Sequence, residues 1–322
     1  MNPSSDDSPV GHVPVMIQEV DDLLRCRPGG VYVDATVGLG GHARAILEKI
    51  QPGGLLIGLD RDCETLDKVR VRLSPYAQSI RLFHENFKNL PLVLNNLSVK
   101  EIDGILVDLG VSSDQLLSPE RGFSFQEDGP LDMRMDRSQR LTAANLVNDL
   151  PENELADIVR NYGEERFARR IASAIVAARK QAPITGSLQL SAIVRRSVHV
   201  GGKPRIHPAT RTFQALRIAV NQELEGLEEF LVEAINFLKP GGRIVVIAFH
   251  SLEDRIVKRT FRRLSGQCVC DRPAELCICP RRALARMVTR GALKPTSADV
   301  SSNPRARSAR LRSVERQSGS EP

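Results

Sequence analysis

The sequence predicts an α/β protein whose largely parallel sheet is interrupted by a mostly helical insertion. Up to residue 108, short apolar strands alternate with segments of helical periodicity, which is the pattern of strand–helix–strand units. Between residues 142 and 200 the apolar spacing is helical throughout. An apolar strand at 243–249 then follows a Pro-Gly-Gly turn, so the same sheet resumes after the insertion.

Each element follows from its local pattern. Residues 12–24 predict an arm and a short helix with an apolar face, which a Pro-Gly-Gly turn ends. Short apolar runs predict the strands, and apolar residues three or four positions apart predict the helices. In chain order these are strand 31–34, helix 42–50, strand 55–60, helix 63–73, strand 80–83, strand 102–107, helices 152–162, 165–178 and 188–198, and a helical region at 212–238.

The chain therefore divides into four predicted segments. Residues 1–116 form the first part of the sheet domain, 117–210 the helical insertion, and 211–280 the second part of the sheet domain. From residue 281 onward Ser, Pro and Arg dominate and little apolar material remains, so 281–322 predict a basic C-terminal tail.

A glycine-rich turn after the first strand predicts a nucleoside-bearing cofactor. In Asp34-Ala-Thr-Val-Gly-Leu-Gly-Gly-His42 the glycines let the backbone approach a ligand, and the N–H groups of the helix start point at it. Asp60, which ends the second strand, can accept both hydroxyls of a ribose. The same turn also fits a dinucleotide fingerprint, or a strand–helix link without a ligand.

The residues at the strand ends favour S-adenosylmethionine over a dinucleotide. Asp34, just before the turn, would repel a pyrophosphate but attract the ammonium and sulfonium groups of a methyl donor. Phe87 and Asp108 follow two further strands, and ligands of open α/β sheets bind beyond the carboxyl ends of the strands. Phe87 either stacks on an adenine ring or belongs to the core.

Positive charge is concentrated at the C-terminal end. The whole chain has a net charge of +6, but residues 241–322 contain 17 Lys and Arg against 7 Asp and Glu. A basic region beside a near-neutral body predicts a polyanionic partner, most simply nucleic acid; the alternative is a solvated tail. We find neither a membrane-spanning apolar run nor a signal peptide, and expect a cytoplasmic protein.

Four of the six cysteines form two Cys-x-Cys pairs, Cys268 with Cys270 and Cys277 with Cys279. Four thiolates can close a tetrahedral zinc site, although the usual spacing is Cys-x2-Cys, so zinc and a loop of free thiols both stay open. Disulfides are not expected in a reducing cytoplasm. The remaining cysteines, at positions 26 and 63, are predicted to be buried apolar residues.

Seven sequence blocks, in one order between His12 and about Arg316, resemble the ribosomal RNA small-subunit methyltransferase H family, also called MraW. The blocks are DATVGLGGH from Asp34, DLGVSSDQ from Asp108, RGFSF from Arg121, DGPLDMRM from Asp128, RTFQALRIAVN from Arg211, FHSLED from Phe249 and NPRAR from Asn303. The resemblance implies a Rossmann-like class I S-adenosylmethionine-dependent methyltransferase. Its implied substrate is the N4 amino group of one cytidine in the decoding region of 16S rRNA, in the small ribosomal subunit.

The resemblance also implies a set of cofactor-binding residues, to which the charge argument adds Asp34. Carried over position by position, they are Gly40, Gly41, His42, Asp60, Phe87, Asp108 and Gln115. Of these, His42 and Gln115 rest on the resemblance alone. The resemblance supports no metal at the Cys-x-Cys pairs.

Methyl transfer to a cytosine amine needs in-line placement and an acceptor for the N–H proton, because the nitrogen lone pair is delocalised into the ring. Asp108 is the first candidate for that acceptor, or it only binds the cofactor. His250 is the second candidate because histidine titrates near neutrality; its alternative is a structural role. The sequence Asp-Leu-Gly-Val at 108–111 contains no aromatic residue that could stack on the base.

Basic residues of the insertion and the tail, together with Arg211 at the start of the second part of the sheet domain, predict an RNA-holding surface through phosphate contacts. They are Lys203, Arg205, His207, Arg211, Arg305 and Arg307.

Two other function classes stay open. A dinucleotide-dependent oxidoreductase leaves Asp34 and the basic tail unexplained, and a non-catalytic RNA-binding factor leaves the side chains at the strand ends unexplained.

Overall fold

The structure is a computed structural model that describes residues 14–198, 206–270, 272, 276–277 and 282–318. The chain divides into two compact units, Met1–Leu109 with Glu228–Pro322, and Gly110–Leu227. The first unit contains the sheet, and the second is mostly helical. The second unit extends beyond the predicted boundary at residue 210, because the helix Thr210–Asn221 packs against the other helices of that unit.

In the described part of the first unit, the strands form one seven-stranded sheet. In chain order they are β1 (Val31–Asp34), β2 (Leu55–Asp60), β3 (Ile80–His84), β4 (Ile102–Asp108), β5 (Leu238–Ala248), β6 (Ala285–Met287) and β7 (Arg310–Arg316). Their spatial order is β3-β2-β1-β4-β5-β7-β6, and β7 is antiparallel to both of its neighbours while β1 to β5 are parallel. The strand order reverses between β1 and β4, which is where open α/β sheets bind ligands.

The described residues also form thirteen α-helices. They are α1 (Ile17–Leu24), α2 (Gly41–Ile50), α3 (Cys63–Arg72), α4 (Leu90–Asn96), α5 (Ser113–Leu117), α6 (Ala143–Asp149), α7 (Glu152–Asn161), α8 (Ala168–Arg179), α9 (Ser187–Ser197), α10 (Thr210–Asn221), α11 (Leu227–Phe237), α12 (Ser251–Leu264) and α13 (Ser297–Ser302). None of these described helices has both the length and the apolar character needed to cross a membrane. In the first unit, α2 packs Leu47 and Ile50 into the core beside Leu56 of β2.

The C-terminal segment completes the sheet, so the prediction of a basic tail with little core material is wrong for β6 and β7. β7 lies between β5 and β6, and its Leu311 and Val314 are fully buried. Arg312 of the same strand donates two hydrogen bonds to Asp254, at 2.7 and 3.2 Å, and both side chains are largely buried. This ion pair neutralises part of the charge that makes the segment look like a solvated tail.

In the second unit, two buried polar side chains hold one irregular segment in place. Asn221 accepts a hydrogen bond from the Met135 N–H and donates one to the Met133 carbonyl, both at 2.7 Å. Arg121 donates to the carbonyls of Arg134 and Met135 at 3.0 and 2.9 Å. These residues belong to the sequence blocks noted above, and in the structure they bind backbone groups that would otherwise be buried without partners.

Because Leu311 is buried in β7, its replacement tests whether the C-terminal segment belongs to the core. We expect Leu311→Ala to lower the free energy of unfolding by about 2–5 kcal/mol through lost apolar contacts and a cavity. Leu92→Ala, at a 55% exposed position of α4, is the matched control and should cost about 1 kcal/mol or less. Urea unfolding measures both variants; equally small effects would contradict a core role for β7.

Candidate functional site

Three carboxylates predicted to bind the cofactor lie at the carboxyl-terminal ends of three neighbouring parallel strands. Asp34 ends β1, Asp60 ends β2 and Asp108 ends β4, and β1 lies between the other two. Asp34 is paired with Gly58 and Leu106, so each flanking aspartate lies two residues further along its strand. The structure brings the three carboxylates close enough for Asp60 to affect the pKa of Asp34, and for Asp34 to affect that of Asp108.

Asp34 is buried, with 1% of its surface exposed. Its Oδ1 accepts a hydrogen bond from the Thr36 N–H at 3.2 Å, whereas its buried Oδ2 has no hydrogen-bond partner among the described residues. Burial is the main cause that raises the pKa of Asp34 to about 7; the Thr36 hydrogen bond lowers it and the Asp60 charge raises it further. A cation that reached Oδ2 would therefore bind strongly to the ionised carboxylate.

Asp108 is the second carboxylate with an oxygen, Oδ1, that is buried and without a hydrogen-bond partner in the described structure. Its backbone N–H donates to the Thr36 hydroxyl at 2.7 Å, which ties the ends of β1 and β4 together. Burial raises the pKa of Asp108 well above its usual value, and the charges of Asp34 and Glu253 add to the effect. His42 Nε2 lies 3.7 Å from Asp108 Oδ2.

Asp60 closes the glycine turn, a role that the sequence analysis missed. Its Oδ2 accepts a hydrogen bond from the Gly38 N–H at 2.7 Å, and its Oδ1 accepts one from the Asp62 N–H at 2.9 Å. Burial raises the pKa of Asp60 to about 6, against the effect of these two backbone hydrogen bonds. Each carboxylate oxygen has two lone pairs, so Asp60 can still accept a hydroxyl hydrogen from a ligand.

The glycine turn leads into α2 without a capping side chain. Gly40 adopts φ +77°, a left-handed conformation, and as the N-cap residue it provides no side-chain hydrogen bond to the first turn of α2. The N–H groups of a helix start without such a cap are suited to a ligand. Gly41 is required for packing, since a Cβ at this position would lie 2.3 Å from Pro14 Cγ. His42, the next residue, is buried.

The two other predicted cofactor residues lie in different units. Phe87 follows β3 in the first unit, where its half-buried ring packs against Phe230 of α11 with 4.9 Å between the ring centroids. It therefore has a core contact and also keeps exposed surface. Gln115 belongs to the second unit, where its Oε1 accepts a hydrogen bond from the Ser112 N–H at 3.0 Å in the capping box of α5.

His250 lies two residues after the end of β5 and is the N-cap residue of α12. Its Nδ1 accepts a hydrogen bond from the Glu253 N–H at 3.4 Å, and its Nε2 lies 3.2 Å from Glu253 Oε1. Glu253 in turn accepts a hydrogen bond from the Phe249 N–H at 2.8 Å, and only 1% of its surface is exposed. The structure thus adds Glu253 to the acidic site; its position three residues after the cap is the signal that could have found it.

The described RNA-binding candidates are exposed, and they are distributed over both units. In the second unit these are His207 and Arg211, and in the first unit Arg305 and Arg307. Lys203 and Arg205 lie outside the described residues. His207 stacks on Phe125 with ring centroids 4.7 Å apart. Arg211 donates a hydrogen bond to the Glu164 carbonyl at 3.1 Å.

A basic face of α12 is a further surface that the sequence analysis missed. Its members, four exposed side chains at the spacing i, i+3, i+4 and i+7, are Arg255, Lys258, Arg259 and Arg262. The two acidic residues of this helix, Glu253 and Asp254, are buried, so every charged side chain that α12 exposes is positive. Helical periodicity of basic residues in the sequence could have identified this face.

The sequence profile of the MraW methylase family matches residues 9–317 of the chain. The chain belongs to this family. A ribosomal RNA small subunit methyltransferase H of Geobacter sulfurreducens is 53% identical to this MraW methylase over 306 residues, which are 95% of this chain and 98% of that protein. One of Halothermothrix orenii is 49% identical over 306 residues, with the same coverage. The mostly parallel sheet confirms the predicted Rossmann-like α/β fold, and membership of the family confirms the predicted methyltransferase.

The buried Asp34 of this MraW methylase predicts that the free energy of unfolding of the ligand-free protein depends on pH. Its pKa of about 7 in the folded state exceeds the value of about 4 expected for an unfolded chain, so the folded state binds more protons between these values. The contribution of this group to the stability of the protein is therefore highest below pH 4, and it falls as the pH rises to 7. We expect Asp34→Asn to raise the free energy of unfolding at pH 8 by about 2–3 kcal/mol more than at pH 5.

Urea unfolding at the two pH values measures this difference. Asp22→Asn, which changes an exposed aspartate of the same unit, is the matched control and should change stability by about 0.5 kcal/mol or less at either pH. If Asp34→Asn changed the free energy of unfolding equally at pH 5 and pH 8, ionisation of this carboxyl would not destabilise the folded protein.

Proposed function

We propose that this MraW methylase transfers the methyl group of S-adenosylmethionine to the N4 amino group of a cytidine in the decoding region of 16S rRNA. The names of its relatives support small-subunit ribosomal RNA as the substrate class. The resemblance of its sequence blocks supports the cytidine. The observation that carries the proposal is the pair of carboxylates, Asp34 and Asp108, each with a buried oxygen for which the described structure offers no hydrogen-bond partner.

The acidic cluster suits a ligand with two positive charges. S-adenosylmethionine, when bound, supplies an electrophilic methyl group on a positively charged sulfur, and it also carries an ammonium group. Asp34 and Asp108 would hold these charges, and the raised pKa values of both carboxyls would fall as they paired with cations. Asp60 would accept the ribose hydroxyls, with Phe87 against the adenine. A dinucleotide would instead bring its pyrophosphate into the negative field, which disfavours an oxidoreductase.

Asp108 is the proposed acceptor for a proton of the cytosine amine. Its Oδ1 is buried and its position is fixed by the hydrogen bond of its backbone N–H to Thr36. Pairing with a cation of the cofactor would lower the raised pKa of Asp108 and keep its carboxylate ionised, as a proton acceptor must be. Removal of a proton localises the nitrogen lone pair, which forms the new N–C bond as the S–C bond breaks. His250 is the second candidate, although its ring nitrogens already face Glu253.

The proposed RNA contacts of the first unit are the basic face of α12 and the exposed Arg305 and Arg307; those of the second unit, taken by itself, are His207 and Arg211. Lys and Arg hold phosphates without reading sequence, so these residues would position the RNA. The target base itself must be unstacked before its amino group can reach a buried carboxylate. On the resemblance, His42 is proposed to complete the cofactor site of the first unit, and Gln115 of the second unit is proposed as a cofactor-binding residue.

The decisive test is transfer of labelled methyl from S-adenosylmethionine to small ribosomal subunits that lack the modification, followed by nucleoside analysis. We expect the label in N4-methylated cytidine at one position. Asp108→Asn should lower the rate of transfer by about 10²–10⁴-fold, because the proton acceptor is lost, while RNA affinity stays unchanged. Asp22→Asn should retain full activity.

The outcomes of this assay separate the remaining alternatives. Label in another nucleoside would exclude cytidine N4, and bound cofactor without any transfer would exclude this RNA substrate. Full activity of Asp108→Asn together with loss of transfer in His250→Gln would move the proton acceptor to His250. Full activity of both variants would leave the two residues with binding or structural roles only.

The basic face of α12 predicts a salt-dependent contribution to RNA binding. Replacing Lys258 and Arg259 together by alanine should weaken binding for all RNA sequences alike. It should also reduce the slope of log affinity against log salt by about 1 to 2, because fewer counterions are released. Arg70→Ala with Lys68→Ala, on the exposed side of α3, is the matched control. Equal salt slopes in both double variants and the unaltered protein would exclude α12 from the RNA surface.

A further inference from the structure

Three cysteine thiols come together in the segment that joins α12 to β6. The Sγ of Cys268 lies 3.4 Å from the Sγ of Cys270 and 3.4 Å from the Sγ of Cys277. The Sγ atoms of Cys270 and Cys277 are 3.7 Å apart. The three sulfurs thus form a nearly equilateral triangle, although the two ends of the set are nine residues apart in sequence.

The described residues of the segment that carries them make few other stabilising contacts. Its ends are joined by an isolated bridge between Ser265 and Ala283 and by a hydrogen bond from the Leu284 N–H to the Leu264 carbonyl at 2.8 Å. Between these ends, none of the described residues is buried, and Leu276 is 64% exposed. A loop of this length without its own apolar core usually needs a covalent or metal cross-link to adopt one structure.

We propose that Cys268, Cys270 and Cys277 bind a zinc ion. Four thiolates at the usual Zn–S distance of about 2.3 Å lie about 3.8 Å from one another, close to the separations observed here. An ion about 2.3 Å from all three sulfurs would lie about 1 Å above the plane of the sulfurs. The fourth tetrahedral position would then be on the side of the ion that faces away from this plane. Cys279, outside the described residues, is the sequence candidate for that position.

The chemistry of the donors favours zinc over the alternatives. Soft thiolates select zinc, copper(I) or iron–sulfur clusters among biological metals, and zinc is the usual choice for a closed tetrahedral site. A disulfide would join only two of the three sulfurs, with a bond of about 2.05 Å, and would leave the third thiol beside it. The arrangement of three mutual contacts is therefore explained by a metal and not by one disulfide.

The zinc ion would have a structural role, and the proposal is independent of the proposed function. α12 separates the loop from His250, and its 14 residues correspond to about 20 Å along the helix axis. A metal beyond the C-terminal end of α12 would therefore not contact His250 at the N-terminal end, and it has no part in the proposed methyl transfer. It would instead fix the chain where the basic face of α12 ends and β6 begins.

The test uses the full-length chain without an affinity tag, reduced and freed of metal by a chelator. Titration with Zn²⁺ and measurement of bound metal by mass spectrometry should give one ion per chain. Co²⁺ in its place should give the intense thiolate charge-transfer absorption of a tetrahedral sulfur site. Absence of stoichiometric zinc from the reduced protein would overturn the proposal, as would a disulfide within the loop in protein alkylated before any reduction.

Matched cysteine variants locate the site. Cys270→Ser and Cys277→Ser should each lose the Co²⁺ charge-transfer band and bind zinc at least tenfold more weakly. Cys63→Ser, which changes an exposed cysteine of α3, should bind like the unaltered protein. Cys63 is exposed and not buried as the sequence predicted, and therefore serves as the control. Should the loop variants not fold, X-ray absorption of the unaltered zinc protein decides: three or four sulfur ligands are expected, and nitrogen or oxygen ligands alone would overturn the site.

Discussion

The rest of the site depends on two carboxylates, the buried Asp34 and the partly buried Asp108, which have no lysine or arginine partner in the described structure. Carboxylates in a poorly solvated environment repel each other and lose hydration, and their raised pKa values are the direct result. The Thr36 N–H holds the side chain of Asp34, and the hydrogen bond from the Asp108 N–H to the Thr36 hydroxyl fixes the backbone from which the Asp108 side chain projects. A cationic ligand would offset the cost of placing these carboxylates away from water, which is the role proposed for S-adenosylmethionine.

The parallel sheet produces this arrangement with few residues. The Thr36 N–H binds Asp34 while its hydroxyl accepts a hydrogen bond from the backbone of Asp108, so one residue connects the ends of β1 and β4. Asp60 shapes the glycine turn through the Gly38 N–H and still has free lone pairs. The side chains at the strand ends thus build the site and also present its ligand-binding atoms, and a substitution at one of them changes both at once.

Sequence patterns predicted the ends of the first strands because apolar runs there end directly on aspartates. They could not predict β7, whose Arg312 and Glu315 give it the composition of a solvated segment. The partners of these residues, Asp254 and Arg243, lie far away in sequence, and only folding brings them together. Glu253 was missed for a different reason: its position after His250 indicates a capping box, but not its place beside Asp108. Local patterns identify elements, whereas charge pairing between distant segments decides which charges remain exposed.

Charge is separated in the first unit, and this separation has a consequence for the proposed reaction. The acidic site repels phosphates, while the basic face of α12 and the exposed arginines attract them. An RNA backbone held on the basic surface is therefore kept out of the site, and only an uncharged part of a nucleotide can enter without an electrostatic cost. A base that is rotated out of its stack meets this condition, whereas a ribose hydroxyl brings its neighbouring phosphates with it. The same carboxylates that favour a cationic methyl donor thus favour methylation of a base over methylation of the backbone.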